Sequence, residues 1–215
     1  MNSLNIHIEN SVKGNNSSQD DTVSLGLEHG VRQVIPDRQP ITVRLNKNKN
    51  KIKIGTWNVR TLAQKGKLQN LMAEMKRLEI GILGISEMRW KDQGAMCKNR
   101  YKIIWSGGTT FQSGVGVVLD PQSAQSYKGH IAVSDRLLMV KMKGPEIDVN
   151  ILQVYAPTGE APDYEINQFY QNLDKTRKMC KNSEVLIVMG DLNSKVGKDR
   201  EGDVVGPNGL GERND

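Results

Sequence analysis

The stretch "VLIVMGDLN", residues 185–193, decides the fold class. Five apolar residues run directly into Gly190, Asp191, Leu192 and Asn193. A short continuous apolar run reads as a strand buried on both faces. A carboxylate and a carboxamide at its carboxyl end do not suit a core. They suit the rim of an α/β sheet, where the strand fixes a residue and the following loop leaves room for a ligand.

Outward from this stretch, strands and helices alternate from Lys51 onward. "KIKIGTWNV" (51–59) alternates at period two and reads as a strand. "GKLQNLMAEMKRL" (66–78) sets Leu68, Leu71, Met72, Met75 and Leu78 at helical spacing. "IGILGISE" (80–87) is a second doubly buried strand. "YKIIWSGG", "SGVGVVLD", "RLLMVKMKG" and "IDVNILQVYAP" follow as strands joined by Gly, Pro or Asp connections. Residues 163–180 place Ile166, Phe169, Tyr170, Leu173 and Cys180 on one helical face. Several consecutive strands with no intervening helix argue against a purely parallel doubly wound sheet. Two packed sheets with helices outside fit this α/β pattern better.

Composition sets further bounds. The chain has 215 residues, enough for one domain with a sizeable core. No apolar run approaches the ~20 residues of a membrane span, and the N-terminal stretch shows no signal-type apolar segment. Two cysteines, Cys97 and Cys180, fit a reduced, intracellular protein. His7, His29 and His130 lie far apart, which argues against structural zinc. Residues 1–50, rich in Asn, Ser, Asp and Gln, read as a disordered polar arm. Limited proteolysis is expected to remove that arm first and leave a core starting near Lys51. Residues 51–215 carry 24 Lys/Arg against 19 Asp/Glu, a net of +5 within the total of +6. Such an excess is compatible with a polyanionic partner.

The other strand ends repeat the opening pattern. They stop at Trp57-Asn58, at Ser86-Glu87 and at Tyr155-Ala156-Pro157. Each residue also has an ordinary explanation. Asn58 could satisfy a turn, Glu87 could pair with Arg89 or with nothing, Tyr155 could edge the core, and Asp191 with Asn193 could form an Asx turn. Four separate strands ending this way weaken the ordinary explanations jointly.

"TWNVR", "SEMRW", "SGVGVVL", "VYAPT" and "MGDLN", in this order, resemble the endonuclease/exonuclease/phosphatase superfamily. The likeness is strongest to the RTE/BovB-type endonuclease domains of non-LTR retrotransposons and to the craniofacial development protein 2-like family, and it covers about residues 51–215. The resemblance implies a four-layered α/β sandwich and Mg²⁺-dependent hydrolysis of a phosphodiester in DNA, with Mn²⁺ as an alternative ion. It implies Glu87 and Asn58 as metal residues and Asp191, Tyr155 and Asn193 as catalytic ones. Asn58, Tyr155 and Asn193 are implied to touch the phosphate. A nuclear rather than cytoplasmic setting and no membrane association go with that activity. A phosphatase of lipid or nucleotide phosphates, or a non-catalytic interaction module, would keep the same scaffold.

The sequence departs from the pattern in two places. Some relatives carry Asp where Arg60 stands, and Arg60 cannot ligate Mg²⁺ although it can contact phosphate. The terminal Ser-Asp-His motif of such domains has no counterpart before Asp215. The domain is therefore expected to be C-terminally incomplete, and the chain to hydrolyse DNA poorly.

Overall fold

The computed structural model describes residues 5–9, 42–44, 51–195, 197–199 and 212. Among them the elements run β1 (Asn5–Glu9), β2 (Thr42–Arg44), β3 (Lys51–Asn58), α1 (Lys67–Leu78), β4 (Ile80–Ser86), β5 (Gln93–Lys98), β6 (Tyr101–Ser106) and β7 (Val115–Leu119). A 3-10 turn at Ser123–Ser126 leads into β8 (Tyr127–Ser134), β9 (Leu137–Met142), β10 (Val149–Tyr155), α2 (Asp163–Arg177) and β11 (Val185–Asp191). One sheet has the order β2-β3-β4-β7-β6-β5 and the other β1-β11-β10-β9-β8. Within them β3 pairs parallel with β4, and β10 parallel with β11; the remaining pairs are antiparallel.

The apolar runs are continuous because both faces of these strands are covered. Ile54, Ile82, Ile104, Val117 and Leu119 of one sheet pack against Leu138, Val140, Ile151, Ile187 and Met189 of the other. The outer face of the first sheet, with Leu83, Ile85, Ile103 and Val118, receives Leu68, Leu71, Met72 and Met75 of α1. The outer face of the second, with Leu137, Met139, Leu152, Val154, Leu186 and Val188, receives Phe169 of α2. The layers are thus helix, sheet, sheet, helix, which is the four-layered α/β sandwich.

The helices depart from the sequence reading in detail. Leu78 is 41% exposed, because α1 ends there and Glu79 turns left-handed at φ 57. Tyr170 is 51% exposed, since the inward stripe of α2 runs through Phe169 and on to Thr176, which is fully buried. Strands β5 and β8 were not expected from the sequence. Both are sheet edges; β5 alternates exposed and half-buried residues, and β8 has none that is fully buried. Of the stretch 1–50 read as an arm, β1 pairs with β11 and β2 with β3. The remainder of that stretch lies outside the described residues.

Gly190 joins the core to the rim. Its φ is +147, and a Cβ there would lie 1.9 Å from the Val154 carbonyl oxygen on the neighbouring strand. Backbone cannot yield as a flexible side chain can. Gly190→Ala is expected to destabilise the fold by about 3 kcal/mol, combining strain at a special φ with overpacking. Gly159→Ala, where nothing lies within 4 Å of the added carbon, should leave the urea midpoint unchanged.

Candidate active site

Alternation along the strands delivers the polar ends to one place. On β3 the inward row runs Ile54, Thr56, Asn58; on β10 it runs Ile151, Gln153, Tyr155; on β11 it runs Ile187, Met189, Asp191. Each row begins apolar in the inter-sheet core and finishes polar at the carboxyl end. β3 and β11 lie in different sheets, so these rows meet across the sandwich.

Glu87 reaches the same place by breaking the alternation. Continued extension would leave it with Leu83 and Ile85 on the helix-covered face. Its left-handed φ of 53 turns the chain instead. The carboxylate then accepts from Asn58 Nδ2 at 2.7 Å and faces the Tyr155 hydroxyl at 3.4 Å. The same Asn58 nitrogen donates to Asp191 Oδ2 at 2.9 Å. The backbone N–H of Arg60 donates to Asn58 Oδ1 at 3.2 Å and fixes the orientation of the carboxamide.

The structure thus brings together Asn58, Glu87, Tyr155, Asp191 and Asn193. Asn193, left-handed at φ 48, donates its backbone N–H to Asp191 Oδ1 at 3.1 Å and its Nδ2 to the Ala156 carbonyl at 2.6 Å. Its side-chain donor is thereby engaged by backbone. Arg60 contributes its main chain to the cluster, while its residue is exposed.

Two cations missed in the sequence as site residues complete the surroundings. Arg89 Nη2 pairs with Glu87 Oε2 at 3.1 Å. Arg136, on the turn between β8 and β9, donates to the carbonyls of Tyr155 and Ala156 at 3.3 and 3.4 Å. Its guanidinium carbon lies 5.0 Å from the centre of the Tyr155 ring. The spacing of Arg89 from Glu87 was a sequence signal for the first; nothing local marks Arg136. Behind the carboxylates, Gln153 Nε2 donates to Ser86 Oγ at 3.1 Å, and Ser86 Oγ donates to the Val154 carbonyl at 3.3 Å. That chain crosses between the sheets. Burial, and next the Glu87 charge, push the Tyr155 phenol above its ordinary pKa. It is a neutral donor at physiological pH.

The donor set fits a hard divalent cation. Mg²⁺ takes carboxylate oxygens, needs only one or two of them, and keeps several waters. Glu87 and Asp191 offer such oxygens. Among the described residues no group of three or more His, Cys, Asp or Glu converges. Asn58 turns its nitrogen, not its oxygen, to Glu87, so its carboxamide would have to rotate to become a ligand. His130 lies outside the cluster, with Nδ1 2.6 Å from the Tyr127 hydroxyl.

This sandwich, with its polar cluster at the parallel strand ends, is the endonuclease/exonuclease/phosphatase fold. AP endonuclease LMAP from Leishmania major superposes with a TM-score of 0.50 at 15% identity, covering 70% of this chain and 58% of that one. An endonuclease/exonuclease/phosphatase family protein from Leptotrichia buccalis is similar at TM-score 0.47 and 15% identity, over 67% of each chain. In sequence, the chain is similar to craniofacial development protein 2 of Bos taurus, with 34% identity over 163 residues. That alignment takes in 75% of this chain and 27% of the bovine protein, so the chain spans about a quarter of its curated relative. No family model matches the sequence. Among the described residues no helix is long and apolar enough to cross a membrane.

Two outcomes are expected. Asn58→Ala removes the shared donor of two carboxylates and should cost about 2 kcal/mol in urea unfolding, as for hydrogen bonds to charged groups. The Tyr155 phenol should ionise above the reference 10.0. Because its pKa is raised on folding, its contribution to stability is full below the reference value and is lost as pH rises through the folded one. Comparing absorbance titrations at the phenolate band should show Tyr155→Phe lacking a late, not an early, transition.

Proposed function

We propose that the chain is a divalent-metal-dependent phosphodiesterase that cuts DNA, an endonuclease domain of retrotransposon origin. The observation that carries this reading is the single Asn58 nitrogen shared by Glu87 and Asp191, with the Tyr155 hydroxyl facing Glu87. Two carboxylates held side by side next to a neutral phenol are what phosphodiester hydrolysis needs: an oxygen site for a cation, a base for water and a donor for the phosphoryl oxygens.

Mg²⁺, or Mn²⁺ in its place, held by Glu87 would polarise the phosphoryl group and offset developing charge. Asp191 accepts the proton of the attacking water and orients it for in-line approach. Its own direction is fixed by the Asn193 backbone and by Asn58. Tyr155 keeps its proton and donates to a non-bridging oxygen as charge builds there. Asn58 restrains Glu87 and Asp191 and offers a donor to the phosphate once either carboxylate turns away from it. Arg60, exposed beside the cluster, is a phosphate contact. A DNA substrate suits the net charge of +5 over residues 51–215, and a nuclear setting goes with it in this reading.

A non-catalytic role on the same scaffold has one observation in its favour: Arg89 already neutralises Glu87. Nicking of supercoiled plasmid separates the two readings. Nicking should appear with Mg²⁺, vanish with EDTA, and fall at least 10²-fold in Asp191→Asn and Glu87→Gln with the fold intact by circular dichroism. Equal nicking by Asp191→Asn and the unaltered chain would remove the catalytic reading.

A further inference from the structure

The loop between β6 and β7, residues 107–114, carries Phe111, 58% exposed at its crest among the exposed Thr109, Thr110 and Gln112. Such a ring adds little to the core. The two ends of the loop are nonetheless held in place. Met88 and Arg89 donate their backbone N–H groups to the carbonyls of Gly114 and Ser113 at 3.0 and 2.9 Å. Gly107 donates to the Asp92 carbonyl at 2.6 Å, and Asp92 donates to that of Gly108 at 3.2 Å. The loop therefore runs alongside residues 88–92, which leave the site directly after Glu87. On its other side the Ser113 hydroxyl bonds the Asp135 carboxylate, and the Gly114 N–H donates to the Asp135 carbonyl at 3.0 Å. Asp135 precedes Arg136, the residue that braces Tyr155.

Lys91 faces the exposed ring, its Nζ 4.5 Å from the centroid. The backbone beneath it is held by Trp105 Nε1, which donates to the Lys91 carbonyl at 3.2 Å. An exposed ring and an ammonium thus stand together, and Lys91 is four residues in sequence from Glu87. A nucleic-acid strand repeats a flat base and a phosphate in every unit, which matches that pair in both shape and charge. A base can offer its face to a side chain only when it is unstacked from its neighbours.

We infer that Phe111 and Lys91 form a stacking platform for an unpaired nucleobase of the strand whose phosphate lies at the Glu87–Asp191 cluster. This rests on the nuclease reading above, and it specifies single-stranded or frayed DNA as the substrate form. The ring stacks on the base, while the ammonium contacts the adjoining phosphate. The duplex partner strand plays no part in the contact.

The test is fluorescence anisotropy with the full chain in EDTA, using a labelled single-stranded oligonucleotide and the blunt duplex of the same sequence. Phe111→Ala should weaken single-strand binding roughly tenfold or more, as loss of one base–aromatic stack does. Its effect on the duplex should be negligible. Phe111→Trp should restore the affinity and give indole fluorescence quenched by the oligonucleotide. Lys91→Ala should lower the slope of log affinity against log salt by about one. Since Phe111 is exposed, its variants should melt as the parent does. Equal single-strand affinity of Phe111→Ala and the parent overturns the inference, and an equal loss on both DNA forms overturns the unpaired-base part. Either result leaves the nuclease reading intact if Asp191→Asn still abolishes plasmid nicking. Absence of any DNA binding or nicking by the parent chain overturns both.

Discussion

One carboxamide nitrogen holds the rim together. Glu87 directly follows a strand of one sheet, Asp191 ends a strand of the other, and like charges brought side by side repel. Asn58 Nδ2 lies between them with a hydrogen for each, and the Arg60 backbone stops it from turning. The Ser86–Gln153 chain just beneath ties the same two sheets. Where polar groups must be buried between sheets, mutual hydrogen bonding is what makes them tolerable. Gln153 Oε1 is one exception, buried with no partner among the described residues. Gly84 faces it, and a Cβ there would come within 1.8 Å of that oxygen. The amide occupies space that glycine leaves open.

Most of the scaffold was legible because burial on two faces writes an unmistakable signal. The run from Val185 to Met189 could hardly be anything but a central strand, and the spacing of Leu68, Leu71, Met72 and Met75 gave α1 directly. What was illegible lies at the edges. Strand β5, "QGAMCK", has too little apolar character to announce itself. It is defined by its partner β6 and by a two-residue turn in which Asn99 and Arg100 both take positive φ, 51 and 69. Of the two, asparagine is the residue type that enters the left-handed region readily. Strand β8 mixes Gly, His and Lys with apolar residues, and its identity comes from pairing with β9.

The candidate site divides in the same way. Asn58, Tyr155 and Asp191 were visible because each stands at the carboxyl end of a stretch that reads as a strand. Their convergence was an expectation from four strand ends, and the geometry of Glu87 lay beyond any periodicity argument. Alternation alone would have put that carboxylate under α1; a left-handed residue redirects it. Arg136 was invisible for a different reason. It acts through carbonyls and a ring face on a strand 19 residues away, and nothing local in "SDRLL" announces a role at β10.

The cluster also has a history in time. Asn58 and Asp191 are 133 residues apart in sequence, and Glu87 and Tyr155 are 68 apart. Each parallel pair, β3 with β4 and β10 with β11, can close around its own helix as a fairly local unit. The contacts between the two units bring together distant parts of the chain and must first overcome the entropy of closing long loops. The two halves of the site are therefore expected to exist separately before the site does. Chemistry at this rim would report on completion of the whole sandwich, so that a half-folded chain would carry the carboxylates but no means of bringing them together.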